Sequence, residues 1–331
     1  MNRSRDLIMG VTAAALLALA GPALGDWSVE DRENPELPGR RVDLLKDSSV
    51  VAALIYGEGQ MKTYLHVYDA QGNQLTMSGL DAEGKPLGLY PHHRGIFIGW
   101  NRIESDLGVD NLWGMGGRSR IDLADYNAEI RSDGVTLDTT MHWRSRHAGD
   151  DENRLIVENR RLTVTRPDHR TIIDFDTTLT AERDVVLDGD VQHAGVHYRA
   201  HHTVNDRAGE TAYLWEPTGL RDHGGRLISD EFQWVLFVYP KGDNWYLAAQ
   251  LNAPTNPTEE LSWRNYGRFG FFHRDALSAG ESRDLSFRFI VQSIAAPQTP
   301  GQLADNEQAR LRALVGEYYQ AYAAGFEGVE D

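Results

Sequence analysis

The sequence predicts an all-β protein, a large antiparallel β-sandwich with one C-terminal helix packed outside it. Three observations carry this. Several segments alternate apolar and polar residues with period two. Short signals rich in Asp, Ser and Gly punctuate them, as turns between antiparallel strands require. Helical spacing is clear in a single stretch, where Leu311, Leu314, Val315, Tyr318 and Tyr322 fall on one face.

Taken in order, residues 1–25 read as a Sec-type signal peptide. Arg3 and Arg5 precede an apolar run from Leu7 to Ala20, Pro22 breaks it, and Ala23-Leu24-Gly25 supplies small residues for cleavage before Asp26. This predicts a periplasmic or secreted protein with a single domain, 26–331. Val50–Tyr56, Lys62–Tyr68 and Ile96–Trp100 read as strands, with turns at Asp69–Gly72 and Asp81–Gly84. Val135–Trp143 and Leu155–Val164 form a hairpin around the polar loop Arg144–Asn153. In Thr171–Leu179, Ile173, Phe175, Thr177 and Leu179 share one face and Asp174 and Asp176 the other. Gln233–Tyr239, Trp245–Leu251 and Leu285–Val291 complete the strands. Pro297 and Pro300 then separate the last strand from a helix over about 302–324, which Gly325 suits as a stop.

The 331 residues carry a net charge of −16, or −17 once Arg3, Arg5 and Asp6 are removed with the signal. That field opposes nucleic acid and anionic membrane surfaces as partners. No cysteine is present, which excludes disulfides, thiolate nucleophiles and Cys-ligated metals. There is no Walker loop, Gly-x-Ser-x-Gly elbow or His-Glu-x-x-His.

Two polar concentrations stand out. In Tyr90-Pro-His-His-Arg-Gly95, Pro91 fixes the backbone before His92, His93 and Arg94, and a buried strand follows. In Asp188–Thr203, His193, His197, Arg199 and His201 recur at even spacing, so on a strand they share one face. A polar stripe of that kind is costly against a core and predicts the floor of a wet groove. His92, His93, Arg94, His193 and His197 are the candidate catalytic residues. No cofactor is expected. A divalent metal held by histidines is an alternative, but strand positions four apart lie roughly 13 Å from each other, so His92 or His93 would have to help.

Trp100, Asn101, Asp110, Trp113, Trp263 and Tyr266, with Arg199 and His201, are the candidate binding residues. Flat aromatic faces beside short polar groups suit the apolar faces and hydroxyls of pyranose rings. The expected ligand is therefore a carbohydrate. A histidine can serve as acid or base near neutral pH, and an arginine can hold a carboxylate or a developing enolate. This favours an enzyme cleaving a C–O bond by elimination or hydrolysis. A non-catalytic sugar-binding protein and a metal-dependent oxidase are the alternatives.

The chain resembles an uncharacterised bacterial family called PmoA-like and often labelled methane oxygenase. The resemblance rests on Pro91-His-His-Arg-Gly95 followed by Trp100, on Asp110-Asn-Leu-Trp113, and on the strands ending in Asp174–Ala181. Towards the C-terminus it rests on Ala253-Pro-Thr-Asn-Pro257, Trp263-Arg-Asn-Tyr-Gly267 and Phe269–Phe272. It implies a soluble β-sandwich associated with polysaccharide utilisation, and no particular reaction. Tyr90 stands where the family pattern has His, and 193–202 is richer in His than the pattern.

Overall fold

The computed structural model describes residues 26–34, 37–81, 83–114, 119–149 and 152–326. The proposed signal peptide lies outside the described residues. Two large antiparallel sheets face each other across one apolar core. The first has nine strands, in the order Trp27–Glu33, Arg40–Lys46, Ser49–Tyr56, Tyr64–Val67, Ile96–Trp100, Ala194–Arg199, Arg268–Phe272, Glu260–Arg264 and Arg226–Ile228. The second has eight: Ala212–Glu216, Trp234–Lys241, Asn244–Asn252, Ser282–Ile294, Arg170–Ala181, Arg154–Thr165, Gly134–Arg144 and Arg120–Ile130. A small four-stranded sheet holds Asp275–Leu277, Val185–Asp188, Arg102–Ser105 and Gly108–Asp110.

The eight-stranded sheet obeys the alternation in the sequence. Along Arg170–Ala181 every second residue is buried, and its partners across the sheet keep the same register. Ile173, Phe175 and Leu179 enter the shared core with Ile98, Trp100, Val196 and Tyr198 of the other sheet. Each such side chain contributes roughly 1.5–3 kcal/mol through burial. The outer face carries short polar side chains and exposed ion pairs such as Arg161 to Asp138.

The helix spans Asp305–Ala323 and packs outside this same sheet. Leu311, Val315, Tyr319 and Tyr322 cover Trp234, Leu236, Leu247 and Ile290. The Glu307 carboxylate accepts the Ala304 N–H at 3.0 Å, which satisfies one of the amides left open at the helix start. Gly325 falls in a short 3-10 turn after the helix. A second 3-10 segment, His202–Glu210, follows the central strand and had no sequence signal.

The nine-stranded sheet breaks the alternation. Ile96–Trp100, Ala194–Arg199 and Arg268–Phe272 are buried at every position. The inner side of these strands meets the core. The outer side is covered by the segments around Tyr90–Arg94 and Asn111–Gly114, whose side chains seat on it. That roofed face holds the candidate site.

Candidate functional site

The register builds the floor of the site. Phe97 lies opposite His197, His197 opposite Gly270, and Gly270 opposite Ser262. In the next row Arg199 lies opposite Arg268 and Arg268 opposite Arg264. Their sequence neighbours point into the core, so these side chains point away from it. Gly270 is needed here, because a Cβ at that position would come within 2.6 Å of His197 Cγ.

Trp113 joins the two histidine segments. Its indole N–H donates to His93 Nε2 at 2.9 Å. Its ring lies 4.7 Å from His197 and 6.1 Å from His193, centroid to centroid. Phe97 stands between His93 and His197, at 5.9 Å and 6.0 Å. Because His93 Nε2 accepts, the His93 proton sits on Nδ1 in the neutral ring. His197 Nε2 donates to the Ala194 carbonyl at 2.8 Å, so its Nδ1 is the acceptor. Neither Nδ1 has a hydrogen-bond partner among the described residues.

Cations line the floor with only neutral acceptors around them. Arg199 donates to the Tyr266 carbonyl and to Asn205 Oδ1, the latter at 2.8 Å. Arg268 donates to the Gln192 carbonyl and to Ser262 Oγ, the latter at 3.0 Å. Both guanidiniums are buried, and each leaves its Nε unpartnered. Lys62 lies under Trp113 and donates to the Leu112 and Trp113 carbonyls at 2.6 and 3.2 Å. Burial pulls the Lys62 ammonium down to about 7 and the Arg199 and Arg268 guanidiniums to about 10. Burial, with Arg268 nearby, holds His93 and His197 well below the ordinary histidine value. His92 falls to about 4, from burial first and then Lys62.

The rim is different. His193 keeps 42% of its side chain exposed, and its Nδ1 lies 2.7 Å from Asp190 Oδ1. Asn101 completes the chain, donating to Asp190 Oδ2 at 3.0 Å and accepting the Asp190 N–H at 3.2 Å. Asp190 thus orients an imidazole whose Nε2 remains to exchange protons. Tyr90 is 50% exposed, and its ring lies 5.3 Å from Tyr266 and 5.6 Å from His93. Its φ of +56° is left-handed, a conformation costing a non-glycine residue about 1–3 kcal/mol.

Thus His92, His93, His193, His197, Arg199, Trp113 and Tyr266 come together. Others do not. Trp100 faces the inter-sheet core, 5.9 Å from Trp143, and donates to the His273 carbonyl. Asp110 is buried and bonds Ser119 and the Arg146 amide, so it ties loops together. Arg94 is a buried clamp, donating to the Pro91 carbonyl and Gln60 beside Tyr64. His201 lies past the strand end and bonds Thr203, off the expected stripe. Trp263 alternates with Ser262 and Arg264 and packs on Tyr213, on the other side of its strand. Asp190, Arg268, Lys62 and Tyr90 went unassigned from sequence. Asp190 had a signal, three residues before His193; Lys62 had none. Among the described residues, no three His, Asp or Glu side chains are grouped to hold a metal ion.

Comparison with known proteins gives the following. The profile of a family of unknown function, DUF6807, matches residues 41–304. No curated protein matches the chain. Similar solved structures include a galactose mutarotase related enzyme from Lactobacillus acidophilus, 8% identical over 82% of this chain and 99% of that one, TM-score 0.38. A galactose mutarotase-like protein from Lactobacillus casei is 10% identical over 80% of this chain and 100% of that one, TM-score 0.39.

Proposed function

Since the chain belongs to DUF6807, a family of unknown function, we propose from the site alone that it is a carbohydrate-active enzyme acting on an acidic sugar. One observation carries the reading. In a chain of net charge −16, Lys62, Arg199 and Arg268 form no ion pair with a carboxylate among the described residues, beneath an exposed His–Asp pair. Buried cations with no directly bonded carboxylate, and with Asp190 as the counter-charge near Arg268, project a positive potential through a low-dielectric interior, here onto the rim. An anionic group is drawn there against the field of the rest of the molecule. Tyr90 and Tyr266 supply flat faces for a sugar ring.

The arrangement suits β-elimination from a uronate. His193 Nε2 takes the proton next to the carboxylate, while Asp190 stabilises the imidazolium formed. The C–H electron pair becomes a C=C bond as the C–O bond to the neighbouring sugar breaks. The departing oxygen takes a proton from the Tyr90 hydroxyl, which the His193 imidazolium restores by way of solvent. Negative charge building on the carboxylate is stabilised by the field of Arg199 and Arg268. The commonest hydrolytic route uses two free carboxylates across the bond, and Asp190 is already bonded to His193.

A second reading, capture without turnover, is favoured by the depth of His93 and His197, which stay neutral and enclosed. Incubation with polygalacturonate, alginate and glucuronoxylan, read by the ultraviolet absorbance of unsaturated uronates, separates the two. New absorbance supports elimination, and binding without it supports capture. We also propose export, with the mature chain starting at Asp26. N-terminal sequencing of periplasmic protein should read Asp-Trp-Ser, and an intact Met1 there would end that proposal.

A further inference from the structure

A second groove lies on the far side of the hairpin turn that carries Tyr266. It forms where the edge strand Ala212–Glu216 meets that turn and the approach to the helix, and it encloses about 390 Å³, within the usual range for small-ligand sites. Three half-buried rings, Tyr213, Trp215 and Trp263, form one wall. The Trp263 centroid is 5.0 Å from Tyr213 and 6.3 Å from Trp215. Asn265, Gln302 and Gln308 also line the groove, with Leu214 and Leu303. Gln308 Nε2 donates to the Leu303 carbonyl, which leaves its Oε1 to accept. Among the described residues, none that lines the groove is charged.

We infer that this groove is a second sugar subsite that takes a neutral pyranose. Aromatic faces match the apolar face of such a ring, and amides donate to and accept from its hydroxyls without selecting charge. The chemistry is the opposite of the histidine site, where cations select an anion. Within one hairpin, Tyr266 stands at that rim, while Trp263 and Asn265 line the groove. A single oligosaccharide crossing the turn would place an acidic unit at the rim and a neutral unit in the groove. The acidic unit rests on the function proposed above; the neutral subsite does not.

The test uses the chain from Asp26 onward, titrated with xylohexaose, cellohexaose and mannohexaose by calorimetry and tryptophan fluorescence. At least one neutral hexasaccharide is expected to bind and to change the emission. Trp215→Ala should weaken that binding about tenfold, the scale of one lost stacking contact. Asn265→Ala, at an exposed position that leaves the fold intact, should weaken it severalfold. Binding that persists in His193→Ala supports a subsite independent of the acid-sugar reading, even if that reading fails. The inference is overturned by no binding to any of the three, by unchanged affinity in both groove variants, or by binding that vanishes with His193→Ala.

Discussion

The two large sheets have the same construction and opposite outer faces. On the eight-stranded sheet the outer face is solvated beyond the helix, and charges there are paired in the open, as Arg161 is with Asp138. On the nine-stranded sheet the central strands are roofed, and Arg199 and Arg268 are buried there among neutral acceptors. Exposed pairs contribute little and tolerate loss. Buried unpaired cations oppose folding unless their environment is built for them. The difference teaches where the molecule has accepted a folding cost, and that cost falls at the candidate site.

The comparison can be broken by substitution. The largest effect is expected at His193. His193→Ala should lower turnover by ~10²–10⁴-fold, the usual contribution of a positioned acid–base group, with an unchanged thermal midpoint. Wild-type turnover of a uronate polymer by this variant would remove His193 from the mechanism.

Acid comes next. His66, His93 and His197 are buried, and burial sets their folded values below the unfolded value of 6.5, to about 3 for His66. Below pH 6.5 the unfolded chain therefore binds more protons than the folded one. Stability present above pH 6.5 is lost as pH falls toward those folded values, at up to about 1.4 kcal/mol per pH unit for each ring. Urea midpoints from pH 7 to 5 should fall steeply, and less so in His197→Phe. A flat profile would contradict the buried neutral rings.

A smaller loss is expected from Gly270→Ala. Its Cβ would meet the Val196 carbonyl at 2.2 Å and His197 Cγ at 2.6 Å, so overpacking should cost about 1–3 kcal/mol in denaturant titration. The smallest effect belongs to the other sheet. Arg161→Ala should change stability by less than about 1 kcal/mol and leave activity intact. A large effect there would erase the contrast between the faces.

Much of this was legible in the sequence, and what escaped did so for physical reasons. Thr171–Leu179 showed its two faces, because period two survives wherever one face meets water. Both histidine segments stood out and meet at Trp113. Their depth did not show: a strand covered on both sides gives no alternation to read, so the expected wet floor is a buried one. An aromatic beside a polar residue does not tell which face of a strand it takes: Phe97 and not Trp100 faces the site, and Trp263 turns to the second groove. Asn101 was chosen as a ligand contact and instead holds Asp190. Lys62 is a lone lysine beside a strand, and only the fold brings it beneath Trp113.

On the function proposed above, the left-handed backbone at Tyr90 bears on how fast a ligand would be caught. A platform that hung loose would have to be ordered at each encounter, at about 0.5–1.5 kcal/mol for an immobilised side chain. Here the ordering is completed during folding, with the ring already seated between His93 and Tyr266. Release of that torsion by Tyr90→Gly would lose the ring together with its poise. Retaining the ring while loosening its neighbour, as in Pro91→Ala, would slow capture more than it hastened escape. On that function, a loop ordered in this way would leave recognition at the rim limited by encounter and not by rearrangement.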